Sequence, residues 1–393
     1  MRALFVGAAS LLISGLLGSA PILAQQQAAP IVLAQAQGKG VPRRALPVPP
    51  KPVSVDENER AALINNWTIG LAGGLLEGTF SRYAADLGKA LDDGDNMRVL
   101  PIVTYGAVGN VSDLIYLKGI DFAITYADVL DHYKNVLKTP NIEARVNYVM
   151  PMFQGELHIL VRPEIKSLAD LEGKKFNFNT VGSAANYTGG IVFDRLGIKV
   201  ERLFLNNSVA LEEMRKGEIA GLVHVVGKPN SLFTNIKPSD GFHFLPMEFS
   251  EKFEDYYVPA ELTNADYPTL VAKGEPVSTI SVTALLAVFN WNPNTNFDRY
   301  RRCVRFIEYL FERFDTLRKP PYQPKWKEMN IAGTIPGWRR FPPAQELIDK
   351  AMAPTASVDR SFARAQAAKA APLDPAEQDR LFRQFLEWSK QRR

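Results

Sequence analysis

The sequence is poor in the side chains that most metal and redox sites use. It contains one cysteine, Cys303, and four histidines among 393 residues. A single cysteine cannot form an internal disulfide, and no two histidines stand at the spacing of zinc ligands. The sequence therefore predicts no metal site. Cys303 lies in a stretch of helical pattern, where we expect a buried core residue rather than a reactive thiol.

The motifs of common nucleotide-binding and hydrolytic enzymes are also missing. The glycine-rich stretch 73–79 lacks the ending of a P-loop and the glycine spacing of a dinucleotide fingerprint. Ser183 follows Gly182, but Ala185 stands in place of the second glycine of a nucleophile elbow. We therefore predict a protein that is not an enzyme and binds no cofactor. Asp128 remains open as an acid or base, or as a hydrogen-bond acceptor for loop amides or a ligand amine.

The charge distribution argues against a nucleic-acid partner. The formal net charge is +4, but the positive excess lies at the two ends of the chain, and the long middle part is mildly acidic. A nucleic-acid-binding body would show the opposite distribution.

The amino terminus has the pattern of a secretory signal peptide. An apolar run, 3–23, follows an early arginine, and small residues precede Gln25. We predict a signal peptide at 1–24, with cleavage after Ala34 or Ala36 as alternatives. A permanent membrane anchor is the rival interpretation, although the glycines, serines and proline of the run make a poor spanning helix.

The segment that follows the apolar run predicts a tether rather than a packed domain. Residues 25–64 are rich in glutamine, alanine and proline, a composition that cannot build a core. We expect the folded body to begin near Asn65.

The body begins with a strand, a glycine-bearing loop and a helix. Residues 67–71 read as a buried strand, and 73–79 as the loop. Phe80, Ala84, Leu87 and Leu91 then recur at helical spacing, with Thr79 expected as the N-cap. A loop between a strand's carboxyl end and a helix's amino end presents unpaired backbone N–H groups, which suit an anion.

The same order recurs along the chain. A strand at 98–103 leads into the polar loop 104–110, and a strand at 120–125 ends at 126–128. Later, 176–179 and 181–187 repeat the strand and loop, and Thr188 is expected to begin a helix. Gly73, Thr79, Leu87 and Gly88 each have a counterpart 109 residues later. These matches favour two lobes of like architecture.

Several segments together resemble the TAXI family, the solute receptors associated with TRAP-type secondary transporters. The resemblance covers about residues 65–310. The segments that carry it are 68–74, 104–110, 119–128, 168–175, 182–184 and 226–229.

The resemblance implies an α/β fold, the two-lobe type 2 periplasmic binding protein, in which each lobe is a mainly parallel sheet flanked by helices and a cleft lies between. Residues 158–161 look like the first crossover strand, and 278–289 like the return. The implied domains are lobe 1 at 65–157 plus 278–345, lobe 2 at 158–277, and a C-terminal helical extension at 346–393.

The implied function is a periplasmic receptor that captures a small anionic solute, a carboxylate or amino acid, and delivers it to the integral membrane subunits of a TRAP-type transporter. The helix ends at Thr79, Asn110 and Thr188 would hold the anion. The full set of expected ligand-binding residues is Gly73, Gly74, Thr79, Thr104, Tyr105, Asn110, Tyr126, Asp128, Gly182, Ser183, Asn186, Thr188, Gly227 and Tyr267.

Two other functions remain open at this point. The protein is alternatively a ligand sensor that signals to a membrane kinase through its basic, aromatic C-terminal region, or an enzyme on the same fold. The predicted C-terminal helix from Asp374 either packs on lobe 1 or docks on a membrane partner.

Overall fold

The computed structural model describes residues 56–352. The predicted signal peptide, the linker as far as residue 55 and the C-terminal extension from residue 353 lie outside the described residues. Among the helices of the described part, none is both long and apolar enough to cross a membrane.

The described residues form strands and helices in alternation. The strands are β1 (Thr68–Gly74), β2 (Arg98–Val103), β3 (Phe122–Tyr126), β4 (Val146–Val161), β5 (Lys175–Asn177), β6 (Glu201–Leu203), β7 (Gly221–Val226), β8 (His243–Phe244), β9 (Tyr257–Leu262) and β10 (Val277–Phe289). The α-helices are α1 (Glu57–Asn66), α2 (Thr79–Leu91), α3 (Ala107–Tyr116), α4 (Val129–Asp131), α5 (Ile142–Arg145), α6 (Gly190–Leu196), α7 (Asn207–Lys216), α8 (Ser231–Thr234), α9 (Phe297–Glu312), α10 (Phe314–Leu317) and α11 (Pro342–Met352). Two π-helical turns, His132–Val136 and Ala185–Gly189, adjoin α4 and α6, and 3₁₀ turns span Leu168–Leu171, Pro238–Asp240, Glu251–Phe253 and Pro324–Glu328.

The strands form one mixed sheet in the order β2-β1-β3-β10-β4-β7-β5-β6, with β8 paired to β4 and β9 paired to β10. β1 is parallel to β2 and β3, and β5 is parallel to β6 and β7. β4 and β10 run antiparallel to their neighbours. Each parallel trio has the strand-and-helix alternation that places loops at one sheet edge.

Two long strands join the trios. β10 pairs with β3 through 284–288 and with β9 through 277–282. β4 pairs with β10 through 146–156 and with β7 through 156–161. The first lobe is therefore the β1–β3 trio with α2 and α3, and the second lobe is the β5–β7 trio with α6 and α7.

The predicted α/β fold with two lobes is confirmed, with one difference in detail. The sheet is continuous rather than two separate sheets, because β4 and β10 run through both lobes. The exact lobe boundaries given above stay predictions.

The helix α2 shows why the sequence folds in this way. Phe80, Ala84, Leu87 and Leu91, which recur at helical spacing, are all buried, as is Tyr83. Burying a large apolar side chain contributes about 2 kcal/mol, so this face fixes the helix on the sheet. In α9, the helical stretch that carries Cys303, the thiol is buried in the core as expected.

Three local expectations were wrong. Residues 57–64, assigned to the tether, belong to the helix α1, which buries no side chain and so carries no apolar period to detect. The N-cap of α2 is Gly78, one residue before Thr79. Thr188 does not begin a helix, because the π-helical turn has already started at Ala185.

Candidate functional site

The loops that follow the parallel strands of both lobes border a small cavity of about 40 Å³. Since a single water needs roughly 10–15 Å³ of such space, the cavity suits only a compact guest. Its lining residues come from the loops and first helical turns after β1, β2 and β5, from the end of β3 and from β7: Leu75, Gly78, Thr79, Phe80, Gly106, Ala107, Tyr126, Asn179, Ser183, Ala184, Ala185, His224, Val225 and Val226.

Three helix N-termini meet at this cavity. α2 begins at Thr79, α3 at Ala107 and the π-helical turn before α6 at Ala185, and all three residues line the cavity. Neither α2 nor α3 has a side-chain cap hydrogen bond at its start, whereas Ser183 Oγ accepts from the Asn186 amide at 3.1 Å in the first turn of the third end. Helix N-termini carry a partial positive charge, so their convergence favours a negatively charged guest.

No charged side chain is among the described residues that line the cavity. The polar groups there are hydroxyls, an amide and an imidazole. Burial lowers the pKa of His224 to about 4, so this imidazole is neutral at pH 7. Charge compensation for an anion would therefore come from main-chain dipoles.

The N-terminus of α3 is already occupied by the second lobe. The Gly182 carbonyl accepts hydrogen bonds from the amides of Val108 at 3.1 Å and Gly109 at 3.2 Å. A Cβ on Gly106 would lie 3.2 Å from the Ser183 Cα, so the two loops touch directly. The expectation that this helix end presents free amides is wrong for this closed conformation, because a carbonyl oxygen fills the place of an anion.

Direct hydrogen bonds elsewhere also hold the lobes together. Thr79 Oγ1 accepts from the Gly227 amide at 3.1 Å, and Arg82 donates to Ser231 Oγ at 2.8 Å. Tyr126 donates its hydroxyl to the Val225 carbonyl at 3.4 Å. The structure is thus a closed form in which the protein's own groups bridge the cleft.

Asp128 joins the lobes behind the cavity and does not line it. Its Oδ2 accepts from the Thr188 hydroxyl at 2.7 Å and from the Tyr257 hydroxyl at 3.0 Å. Tyr187 donates to the Asp128 carbonyl at 3.3 Å. Burial raises the pKa of the Asp128 carboxyl to about 6, although the two hydroxyl donors oppose the shift. Asp128 and Thr188 therefore act on each other in this conformation.

The first-lobe polar residues expected at the ligand support the loops instead. The Asn110 amide donates to the carbonyls of Ile124 at 2.6 Å and Ala72 at 3.3 Å. Thr104 Oγ1 accepts from the Gly74 amide at 2.9 Å and donates to Asn110 Oδ1. We expected the helix to begin at Asn110, but α3 begins at Ala107. Asn110 lies in the first turn of that helix and is fully buried. Gly73 lies near the end of β1, where a Cβ would approach Ala84 to 2.8 Å.

The remaining expected residues divide between the cavity and its surroundings. Thr79, Tyr126 and Ser183 line the cavity, and Gly182 and Gly227 contact the first lobe beside it. Asn186 Oδ1 accepts from the Gly182 amide at 3.3 Å.

Two tyrosines of the expected ligand-binding set lie outside the cavity. Tyr105 is 68% exposed and is not among the cavity-lining residues. Tyr267 is buried inside the second lobe, where its hydroxyl bonds His158 Nε2 at 2.8 Å and accepts from the Asn230 amide at 3.1 Å.

Sequence reasoning missed two cavity residues with polar side chains, Asn179 and His224. Asn179 lies two residues after the end of β5 and has a left-handed φ of 55°, and His224 is the polar residue inside the apolar strand β7. Within residues 56–352, Asn179 Nδ2 and both ring nitrogens of His224 lack a hydrogen-bond partner. A histidine that interrupts an otherwise apolar strand was the signal available in the sequence.

A comparison with protein families assigns the chain. The description "NMT1-like family" matches residues 71–320, more than half of the chain. No curated protein sequence matches.

Solved structures with some similarity include three binding proteins. The alkanesulfonate-binding protein SsuA from Xanthomonas axonopodis pv. citri, bound to MOPS, is 11% identical, with 80% of this chain and 83% of that chain covered and a TM-score of 0.39. An amino acid ABC transporter substrate-binding protein from Streptococcus pneumoniae, bound to L-arginine, is 12% identical, covering 69% and 98%, with a TM-score of 0.38. A TctC solute binding protein from Polaromonas is 14% identical, covering 63% and 88%, with a TM-score of 0.35. Because these scores are low, the fold assignment rests on the topology described above, and the family match shows that the chain belongs to the NMT1-like family.

Proposed function

We propose that this protein is a periplasmic solute receptor that holds a small anionic organic solute, a carboxylate or an amino acid, between its two lobes. The observation that carries the proposal is the meeting of three helix N-termini at one cavity between the lobes. The absence of lining carboxylates among the described residues supports a negatively charged guest, since nothing there repels it.

Closure is part of the proposed mechanism. In the structure the Gly182 carbonyl oxygen rests on the amides at the start of α3. An oxygen of the solute would displace it and accept hydrogen bonds from those amides, while the interlobe bonds of Thr79 and Arg82 re-form around the guest. Solute and closed lobes would then stabilise each other.

The proposed partner is a membrane transporter. The resemblance to TAXI receptors and the apolar amino-terminal segment support export to the periplasm and delivery of the solute to TRAP-type membrane subunits. This part is tested in cells, where deletion of the gene is expected to abolish uptake of the radiolabelled solute identified in vitro. Unchanged uptake would contradict the delivery role.

Binding is tested on protein purified without refolding. A thermal-shift panel of carboxylates, sulfonates and amino acids is expected to contain at least one compound that raises Tm by about 5 °C at saturating concentration. A panel without any shift, for protein that extensive dialysis has freed of retained solute, would contradict the proposal.

A matched pair of variants localises the binding. Ala184, a cavity-lining residue, is 8% exposed, whereas Ala272 lies on the exposed surface of the second lobe. Ala184→Leu is expected to abolish the ligand-induced shift because it fills the cavity, and Ala272→Leu is expected to retain it. Circular dichroism verifies that both variants are folded. Equal ligand shifts in the two variants would place the site elsewhere.

A further inference from the structure

Two histidines stand opposite each other on neighbouring strands, yet their surroundings differ. His158 on β4 pairs in register with His224 on β7, and both are buried. The ring nitrogens of His158 contact the Glu156 carbonyl and the Tyr267 hydroxyl, each at 2.8 Å. His224 is 5% exposed, lines the cavity and has no partner at either nitrogen among the described residues. The imidazole of His158 therefore has its hydrogen bonds within the protein, whereas the imidazole of His224 is free to bond a molecule in the cavity.

The unpartnered groups at this end of the cavity define a pattern. A neutral imidazole offers one N–H donor and one lone-pair acceptor, and Asn179 Nδ2 is a further donor. The Asn179 side chain is fixed because its Oδ1 accepts from the Thr180 amide at 2.8 Å. A simple carboxylate can only accept hydrogen bonds. It would pair with the imidazole N–H and with Asn179 Nδ2, but the unprotonated nitrogen of His224 would stay buried without a hydrogen-bond donor.

We propose that the solute is a compact hydroxy acid, and that His224 and Asn179 are the residues that select its hydroxyl group. This inference rests on the proposed function and names the solute class for the same cavity. The carboxylate lies toward the helix N-termini, and the hydroxyl donates to the acceptor nitrogen of His224 and accepts from Asn179. The cavity volume of about 40 Å³ limits the solute to a few heavy atoms.

An ammonium group is the other donor that a small solute offers, but the cavity suits it less well. An ammonium brings a positive charge among three helix N-termini, and no carboxylate is among the described lining residues. Asp128, the nearby buried acid, does not line the cavity; its Oδ2 accepts from Thr188 and Tyr257, and its Oδ1 has no partner among the described residues. The structure therefore favours hydroxyl over ammonium.

Three probes of matched size separate these alternatives by calorimetry at pH 7.5. Glycolate, acetate and glycine differ only in bearing a hydroxyl, a hydrogen or an ammonium on the same carbon. We expect glycolate to bind at least about tenfold more tightly than either of the others, since a site built to hydrogen-bond a hydroxyl discriminates against its absence. Glycolate and acetate of equal affinity would overturn the inference, as would glycine binding more tightly than glycolate.

Variants assign the selectivity to the imidazole. His224→Leu should bring the glycolate-to-acetate ratio to within about twofold, because it removes the acceptor and leaves the helix N-termini. His224→Gln, which keeps a donor and an acceptor, should retain part of the preference. A ratio unchanged in His224→Leu, confirmed as folded by circular dichroism, would overturn the role of His224.

The failure of this inference can be distinguished from the failure of the proposed function. If acetate and glycolate bind equally, anion binding survives and only the hydroxyl selection is lost. If neither these probes nor the wider panel of carboxylates binds, the hydroxyl selection and the proposed receptor function are both contradicted. Proton uptake on glycolate binding, seen as different heats in phosphate and Tris buffers, would also overturn the inference, because His224 would then act as a cation without an acceptor.

Discussion

Both lobes supply strand-to-helix loops to the cleft, but the polar side chains near these loops differ in their hydrogen bonding. In the first lobe, Asn110 and Thr104 bond each other and the backbone of β1 and β3. In the second lobe, Asn179 and His224 line the cavity with atoms that lack partners among the described residues. The first lobe is therefore a support for helix ends, and the second carries the polar groups that we propose recognise a solute.

The largest expected effect is the loss of stability when the buried Asn110 amide of the first lobe is removed. Asn110→Ala removes a fully buried amide and leaves its partners unsatisfied, which should lower the free energy of unfolding by about 4 kcal/mol. The matched change in the second lobe, Asn186→Ala, removes one half-buried hydrogen bond at 3.3 Å and should cost about 1 kcal/mol or less. Urea denaturation measures both. Equal losses would contradict the contrast between the lobes.

A second prediction concerns the carboxyl that joins the lobes. Burial raises the pKa of Asp128 to about 6 in the folded state, above its ordinary value of 3.8. Between these two values the folded protein keeps the proton that the unfolded chain has lost, so stability falls as pH rises from about 4 to 6. The contribution amounts to roughly 3 kcal/mol.

The variant Asp128→Asn isolates this contribution because its amide does not titrate. The stability of the wild type relative to the variant should decrease between pH 4 and pH 7, as measured by urea denaturation at several pH values. A difference between the two proteins that stays constant across that range would show that Asp128 is not held in a desolvated site.

The third prediction concerns the two facing histidines, whose replacement should change the free energy of unfolding by smaller amounts and in opposite directions. His224→Leu replaces an unpartnered buried imidazole with an apolar side chain and should raise the free energy of unfolding by about 1 kcal/mol. His158→Leu leaves the Tyr267 hydroxyl without its histidine partner and should lower that free energy by about 2 kcal/mol. Chemical denaturation at pH 7.5 measures both variants. A loss of stability in His224→Leu as large as that in His158→Leu would contradict a ligand role for His224.

The smallest expected effect is on closure. Thr79→Val removes the hydroxyl that accepts from the Gly227 amide and should change global stability by about 0.5 kcal/mol or less. Hydrogen exchange of the Gly227 amide should nevertheless speed up, because that amide loses its partner whenever the lobes are closed. An unchanged exchange rate would mean that the lobes are mostly open in solution.

Local pattern predicted the architecture well where one strand face or helix face is buried. The return strand 278–289 matched β10 to within one residue, because β-branched and apolar residues fill it and most of them are buried. The strand 98–103 was also predicted at its observed bounds, although Val99 is its only buried residue. Only 158–161 of the sixteen-residue β4 was predicted. Its earlier part contains Pro151 and Gly155, which are not typical of a strand interior.

The site was predicted at the level of loops rather than side chains. The sequence placed Thr79, Tyr126 and Ser183 near a ligand, and these residues line the cavity; their contact with a solute stays a prediction. The sequence also placed Asn110 near a ligand. Its amide instead donates to carbonyls of β1 and β3, which only the folded sheet brings close. Lobe closure likewise decides that Gly182 covers α3, and no local pattern encodes it.

The most direct test is a crystal structure of the natively purified protein grown with glycolate. We expect density for a compact anion between the lobes, its carboxylate within hydrogen-bond distance of first-turn amides of α2 or α3 and its hydroxyl beside His224. An empty cleft in which the Gly182 carbonyl still rests on the amides of Val108 and Gly109, under conditions that saturate binding in solution, would contradict the account.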